Sequence, residues 1–219
     1  MVFHELLDTP GEHGFTYAGG AGLLEGILSV PPHPHASYVA ILGHPHSLQG
    51  GSMSNKVVTT IARVFKELAI PSLRFNFRGV GASAGSYDEG IGESEDMLLL
   101  ARQYQEENPH VRIIFAGFSF GSYVAYRSAA QYEHDLLITI APPVHHYNYQ
   151  VFSPGPFPWL VLQGDNDDVV PLSVVLDFVH NSVGITLLRF SETGHFFHGK
   201  LIDLKVCLTG MIRQKLVAL

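Results

Sequence analysis

The feature that most constrains the fold is an alternation, from Tyr38 onward, of short apolar runs and helical patterns. Continuous apolar runs predict buried strands over 38–42, 71–77, 111–116, 136–140, 159–162 and 185–190. Helical spacing predicts helices over about 58–68 and 93–105, from about 119 to about 131, from 171, and along 201–212. Buried strands separated by helices build a mostly parallel sheet that is covered on both faces.

The segment before Tyr38 has a different pattern. Strand-like runs at 15–18 and 23–30 are separated by Gly19, Gly20 and Gly22, which predicts an antiparallel start. We therefore expect an α/β fold, with one domain over 1–219 and a mostly parallel sheet of about eight strands. In such open sheets the reactive loops gather at the carboxyl ends of the strands.

The composition argues against several classes of function. A chain of 219 residues, 46% hydrophobic, can bury a large core. Its formal charge of −7 argues against a nucleic-acid partner and against docking to anionic membranes. Residues 1–10 show no secretory signal, no apolar run is long enough to span a membrane, and Cys207 is the single cysteine. We expect a cytoplasmic protein, with its oligomeric state left open.

A candidate nucleophile lies between the clearest strand and the next helix. Residues 117–121 read Gly-Phe-Ser-Phe-Gly, which matches G-x-S-x-G. The turn there must be very tight, which lifts the Ser119 hydroxyl clear of the sheet edge and aims helix N–H groups toward developing negative charge. A serine hydroxyl needs a base, and the base needs an orienting acid. The sequence should therefore supply both from later strand ends.

Two later loops supply these groups. Residues 164–171 read Gly-Asp-Asn-Asp-Asp-Val-Val-Pro, and residues 193–198 read Thr-Gly-His-Phe-Phe-His. Further motifs are His-Pro-His at 44–46, Gly-Gly-Ser-Met-Ser-Asn-Lys at 50–56, and Arg-Phe-Asn-Phe-Arg-Gly-Val-Gly-Ala-Ser at 74–83. In this order, the motifs resemble the α/β-hydrolase superfamily, and within it a bacterial subgroup of small serine hydrolases without a lid.

The resemblance implies a catalytic triad. By position, Ser119 matches the nucleophile, Asp167 the acid and His195 the base. Asp165 and Asp168 are alternatives for the acid, and their other interpretation is capping of the helix that begins at Pro171. His198 is an alternative base, which we expect instead at the rim of the site.

An oxyanion hole needs two donors, because acyl transfer develops charge on the carbonyl oxygen. The backbone N–H of Phe120, directly after the nucleophile, is the natural first donor. The second should come from the loop after the Tyr38 strand. Pro45 has no N–H, so His46 or Ser47 must donate, and we favour His46. The family often has glycine where Pro45 stands.

Only about eighteen residues separate the strands at 136–140 and 159–162, which is too few for a helical cap domain. We therefore expect an open cleft above Ser119. The candidate wall residues are Phe118, Phe120, His145, His146 and Tyr147. An open site favours small or soluble acyl esters over long-chain lipids.

Three other features suggest different chemistry and are rejected on context. The pairs His33/His35 and His44/His46 lie at opposite ends of one strand, roughly 20 Å apart, so they cannot share a metal ion. Residues 79–84 fit a dinucleotide motif, but more glycines follow instead of a helix. Cys207 lies among apolar residues of the last helix and is predicted to pack there. We expect no metal and no cofactor.

The sequence thus predicts a serine carboxylesterase or thioesterase that acts on a small-molecule acyl substrate through an acyl-enzyme. The alternative is a non-catalytic member that binds a ligand or partner in the same cleft. Transfer of the acyl group to another acceptor, peptide cleavage and perhydrolysis also stay open.

Overall fold

The fold is built on one sheet of eight strands. The structure is a computed structural model that describes residues 3–35, 37–152, 155 and 158–216. The strands are β1 (Gly11–Gly19), β2 (Gly22–Val30), β3 (Tyr38–Gly43), β4 (Ser72–Phe75), β5 (Arg112–Phe118), β6 (Leu136–Ile140), β7 (Trp159–Gly164) and β8 (Ile185–Phe190). The helices are α1 (Phe3–Leu7), α2 (Lys56–Glu67), α3 (Ile91–Glu107), α4 (Phe120–Ala129), α5 (Leu172–His180) and α6 (Leu201–Lys215).

The strand order is β1-β2-β4-β3-β5-β6-β7-β8. The β1–β2 and β2–β4 pairs are antiparallel, and every other pair is parallel. Because β3 and β5 to β8 run in one direction, the loops after them all leave the same edge of the sheet. That edge carries every loop for which the sequence predicts a functional residue.

Two apolar cores cover the two faces of the sheet. Side chains of α3, α4 and α5 pack on one face, around residues such as Tyr104, Val124 and Val175. Side chains of α2 and α6 pack on the other, around residues such as Phe65 and Leu208. The strands in the middle are buried along their whole length, which explains why they read as continuous apolar runs rather than as alternating ones.

The predicted fold class is confirmed: the sheet is mostly parallel, eight-stranded and flanked by helices on both faces. The main error is at β4, predicted over 71–77. This strand ends at Phe75, because the N–H of Phe77 donates to the His44 ring instead of to a neighbouring strand. Helix α1 and a 3-10 turn at Ser47–Gln49 were not predicted.

The described residues of the β6–β7 connection form no cap. Across these residues, 141–152, 155 and 158, the chain forms turns and bends without a helix. Part of this loop lies outside the described residues. Across the described part of the chain, the helices are too short or too polar to cross a membrane.

Candidate active site

Three side chains from three distant loops meet at the carboxyl edge of the sheet. Ser119 follows β5, Asp167 follows β7 and His195 follows β8. The distance from His195 Nε2 to Ser119 Oγ is 3.0 Å, and that from His195 Nδ1 to Asp167 Oδ2 is 2.8 Å. Both are hydrogen-bond distances, so the structure joins the three residues that the sequence singled out.

The backbone at Ser119 is strained. Its φ is 53° and its ψ is −123°, a region that non-glycine residues rarely adopt. The Ser119 N–H donates to the carbonyl of Ile140 at the end of β6, which helps hold the turn. The turn places Ser119 directly before α4, so its hydroxyl stands at the helix amino end. This is the tight strand-to-helix turn that the motif predicts.

The two glycines of the motif have a steric role. A Cβ on Gly117 would lie 2.0 Å from the carbonyl oxygen of Gly121. A Cβ on Gly121 would lie 2.3 Å from the carbonyl carbon of Gly43, in β3. All of these neighbours are backbone atoms that cannot rotate away. Glycine is therefore required because α4 begins in contact with the ends of β3 and β5.

The carboxylate of Asp167 is fully engaged. Its Oδ1 accepts hydrogen bonds from the N–H groups of Val169, at 2.9 Å, and Val170, at 2.7 Å. Its Oδ2 accepts from His195 and from Gln163 Nε2, the latter at 3.1 Å. Burial alone would raise the pKa of Asp167, but the hydrogen bonds from His195, Val170 and Val169 outweigh it and leave the pKa below its ordinary value. The side chain is thus held as an anion facing His195.

The other acid candidates have different surroundings. Asp165 forms a two-point ion pair with Arg189, at 2.9 and 3.1 Å. Asp168 is exposed at the surface. The expectation that these residues cap α5 is wrong, since Pro171 precedes that helix and no side chain caps it. His198 is exposed and stacks on Phe196, which agrees with a place at the rim.

Phe118 does not line an open cleft, contrary to the sequence-based expectation. As the last residue of β5 it points into the core and is fully buried. Its ring lies 5.0 Å from the His195 ring and so supports the imidazole from below. The Phe196 ring contacts His195 edge to face at 5.1 Å and is largely exposed. His195 is therefore fixed between an inner and an outer aromatic ring.

The candidate oxyanion donors lie at the start of α4, directly after Ser119, and in the loop after β3. Phe120 is the first residue of α4, so its N–H has no acceptor within the helix. Its side chain is buried and packs against His46, so the expectation of a Phe120 cleft wall is also wrong. His46 lines the cavity at Ser119, whereas Ser47 is absent from its lining.

Sequence reasoning missed two buried residues. His44 Nε2 accepts the N–H of Phe77 at 2.9 Å, so its Nδ1 carries the proton and donates to the Pro45 carbonyl at 2.6 Å. Burial lowers the pKa of His44 to about 4, which keeps the ring neutral. Gln163, fully buried, donates to Asp167. A polar residue closing the apolar strand before the acid loop was the signal that could have revealed Gln163.

A cavity of about 170 Å³ opens at Ser119. His46, Val169, His195 and Phe196 are among the residues that line it. The predicted wall residues 145–147 do not line this cavity. His145, His146 and Tyr147 line a groove against α5, and the latter two also line a groove that borders the cavity at His46.

The remaining sequence features have structural places. In the described part of the chain, no three His, Cys, Asp or Glu side chains come together as metal ligands would. Residues 79–84 form a loop and no helix opens there, as the sequence indicates. Cys207 is half-buried and packs against the core around α6, which confirms its predicted packing role.

The chain is similar to proteins of known structure over nearly all of its length. It is 42% identical to XC6422 from Xanthomonas campestris, described as an α/β serine hydrolase without a lid; the match covers 96% of this chain and 98% of that one, with a TM-score of 0.91. It is 39% identical to an α/β serine hydrolase homologue from Coxiella burnetii, over 92% of this chain and 98% of the other, with a TM-score of 0.87.

A further relative is the uncharacterized protein RP471 of Rickettsia prowazekii. The two are 34% identical over an alignment of 195 residues, and the match covers 84% of this chain and 82% of the relative. No protein-family model matches the chain.

Proposed function

The chain belongs to the α/β serine hydrolases without a lid, and we propose that it cleaves small acyl esters or thioesters with Ser119 as nucleophile. The observation that carries this proposal is the hydrogen-bonded chain Ser119 Oγ–His195 Nε2–His195 Nδ1–Asp167 Oδ2, with spacings of 3.0 and 2.8 Å. A side-chain arrangement of this kind can remove the serine proton as the oxygen attacks a carbonyl.

The proposed reaction has two halves. His195 takes the Ser119 proton on Nε2 while Ser119 Oγ bonds to the acyl carbon, and the anionic Asp167 stabilises the imidazolium that forms. His195 then protonates the leaving alcohol or thiol as the bond to it breaks, which leaves an acyl-enzyme. A water molecule then loses a proton to His195 Nε2 and attacks the acyl carbon. The bond between that carbon and Ser119 Oγ breaks, His195 returns the proton to Ser119 Oγ, and the carboxylic acid leaves.

The oxyanion that forms in each half needs donors that are already in place. We propose the N–H of Phe120 and the N–H of His46. The presence of His46 in the cavity lining supports this choice over Ser47. The buried ring of His44, bonded to both Pro45 and Phe77, fixes the loop that carries His46. One such donor is commonly worth roughly 3 kcal/mol of the barrier.

The open surroundings of Ser119 support small substrates. The cavity of about 170 Å³ has no helical cap above it in the described residues, and Ser119 is half-exposed. No step of the proposed reaction requires a metal or another cofactor from the protein. The reaction type is set by the triad, while the choice of ester, thioester or amide depends on how the leaving group fits beside His195.

The test combines a probe with a substrate panel. A fluorophosphonate should label the folded protein at Ser119, and 4-nitrophenyl esters and acyl thioesters of graded chain length should be hydrolysed, with the shortest favoured. Ser119→Ala should abolish both labelling and turnover. Ser86→Ala, which removes an exposed hydroxyl from another loop, serves as the matched control. A folded native protein that takes up no probe and turns over no substrate would favour the non-catalytic binding role.

A further inference from the structure

A second groove, of about 550 Å³, continues from the cavity at Ser119. The two spaces share His46 and Gln49 in their linings, so they meet at the loop after β3. The groove is much larger than the cavity. A substrate bound at Ser119 can therefore extend into it past His46.

One face of α4 forms the floor of this groove. Tyr123 and Arg127 are four residues apart, which places them on the same side of the helix, and both line the groove. Helix α4 begins directly after Ser119. Tyr123 is four residues from Ser119, about 6 Å along the helix axis at 1.5 Å per residue. The groove thus leads away from the nucleophile along its own helix.

Arg127 lies in this groove and has no anionic partner within the part of the chain that the structure describes. Its Nε donates to Ser94 Oγ at 3.2 Å and its Nη1 to Tyr123 OH at 3.3 Å, and both acceptors are neutral. Its guanidinium carbon lies 5.6 Å from the centre of the Tyr123 ring and 5.1 Å from that of Phe152. Among the described residues, no carboxylate pairs with Arg127. A guanidinium has five N–H groups, and those that do not bind Ser94 or Tyr123 have no acceptor among these residues.

Other half-buried or buried arginines in the sheet region are paired. Arg74 pairs with Glu12 at 2.6 Å and Arg78 with Asp96 at 2.8 Å. A half-buried guanidinium keeps its charge. Its planar shape is best suited to a carboxylate, which it can bind through two parallel hydrogen bonds. The unused N–H groups of Arg127 therefore make it suited to bind an anion that enters the groove.

An ester has two arms, the acyl group and the leaving alcohol or thiol. The position of the base, His195, decides which of them enters the groove. The leaving group must lie beside His195, because His195 Nε2 protonates it. The residues that line the cavity near His195 are Val169 and Phe196, and neither belongs to the groove. The groove meets the cavity at His46 and Gln49 and shares none of the residues around His195, so it is assigned to the acyl arm.

We propose that the groove binds the acyl arm of the substrate and that Arg127 binds a carboxylate at the far end of that arm. This inference rests on the proposed function, and it narrows the substrate class to acyl groups that end in an anion. The walls suit a flat spacer: Tyr87 and Tyr147 line the groove, their hydroxyls joined at 3.2 Å. Glu89, exposed at the edge, is the carboxylate that opposes such a substrate.

The test compares two esters of the same size that differ in one substituent, which is anionic in one ester and neutral in the other. Both are 4-nitrophenyl 3-phenylpropanoates, one with a carboxylate and one with a carboxamide at the para position of the acyl ring. We expect the native enzyme to prefer the carboxylate by about tenfold in kcat/KM, the range of one hydrogen bond to a charged group. In Arg127→Gln the ratio should fall to near one, Arg127→Lys should restore part of it, and Glu89→Gln should increase it.

The control is Arg63→Gln, which removes one positive charge from an exposed position on α2, across the sheet from α4. It should keep the native ratio. An equal loss of rate for both esters in Arg127→Gln, or no preference in the native enzyme, would overturn the inference while leaving the proposed function intact.

A binding measurement separates the two proposals. In a Ser119→Ala background, calorimetry with 3-(4-carboxyphenyl)propanoate should show binding that Arg127→Gln weakens about tenfold. Failure of both esters and of 4-nitrophenyl acetate to be hydrolysed would refute the proposed function, and calorimetry would still decide whether Arg127 binds the carboxylate. Equal affinity of Ser119→Ala and of the double variant Ser119→Ala/Arg127→Gln would refute the role of Arg127.

Discussion

Replacing Asp167 by asparagine tests how the site holds its base. The change keeps the size of the side chain but turns one carboxylate oxygen into an NH₂ donor. Asp167 Oδ1 accepts two backbone N–H groups, from Val169 and Val170. These backbone groups cannot rotate, so the amide oxygen must occupy the Oδ1 position. The new NH₂ group then occupies the Oδ2 position, where His195 and Gln163 donate in the native protein.

The consequence for the base is direct. With a donor facing it, His195 Nδ1 must accept a hydrogen bond, so the ring proton moves to Nε2. A protonated Nε2 cannot take the proton of Ser119, 3.0 Å away. We expect kcat to fall by about 10⁴-fold, which corresponds to roughly 5 kcal/mol of barrier. Gln163 also loses a charged acceptor, which should cost about 2 kcal/mol of folding stability, or several degrees in Tm.

The assay measures kcat for 4-nitrophenyl acetate together with the Tm of each variant. Asp168→Asn, the same change at the exposed neighbouring position, is the matched control and should leave both quantities near their native values. The reasoning fails if Asp167→Asn keeps kcat within tenfold of the native enzyme. It also fails if Asp168→Asn is the variant that loses activity.

Three further predictions concern the supports of the site. The folded state holds the pKa of His44 at about 4, below the ordinary 6.5. The contribution of His44 to the free energy of unfolding should therefore be fully present above about pH 6.5 and fall by roughly 3 kcal/mol as the pH drops to 4. Urea denaturation across this range should show the free energy of unfolding falling with pH in the native protein and falling less steeply in His44→Asn. Equal slopes against pH in the two proteins would contradict the role of His44. Gly121→Ala should lower stability by more than about 2 kcal/mol, because its Cβ would lie 2.3 to 2.5 Å from backbone atoms of Gly43 and His44, whereas Gly210→Ala, in open space on α6, should raise the Tm. Gln163→Leu removes a donor to Asp167 and should lower kcat about tenfold; an unchanged kcat would show that the bond only supports packing.

The location of the site was predictable because it depends on local signals. The G-x-S-x-G turn, the acid loop and the histidine loop each follow an apolar strand, and parallel strands bring their carboxyl ends to one edge. These patterns predicted Ser119 and the two loops that carry the acid and the base, and the resemblance to α/β hydrolases selected Asp167 and His195 within them. The structure brings the three within hydrogen-bond distance. Their catalytic roles remain predictions that the experiments above test.

The surroundings of the site were less predictable, because they depend on which faces of the strands and helices meet. Phe118 was expected at a wall, yet the pleat of β5 turns it into the core beneath His195. Arg127 was not singled out at all. Nothing in the neighbouring sequence marks it, because its proposed role depends on the lack of a carboxylate partner among the described residues of the folded protein.

By itself, the sequence determined the fold class, the order of the strands and helices along the chain, and which loop carries each proposed catalytic residue. These properties follow from hydrophobic periodicity, from the backbone needs of a tight turn, and from short motifs that resemble those of the α/β hydrolases, all of which depend on neighbouring residues. Only the tertiary structure decided that Gln163 donates to Asp167 and that the His44 ring binds the N–H of Phe77 beside the loop of His46. It also decided that Arg127 lies in a groove beside the cavity and meets no carboxylate in the described part of the chain. Such contacts join residues far apart in the chain, so packing of the whole sheet and its helices is needed to create them.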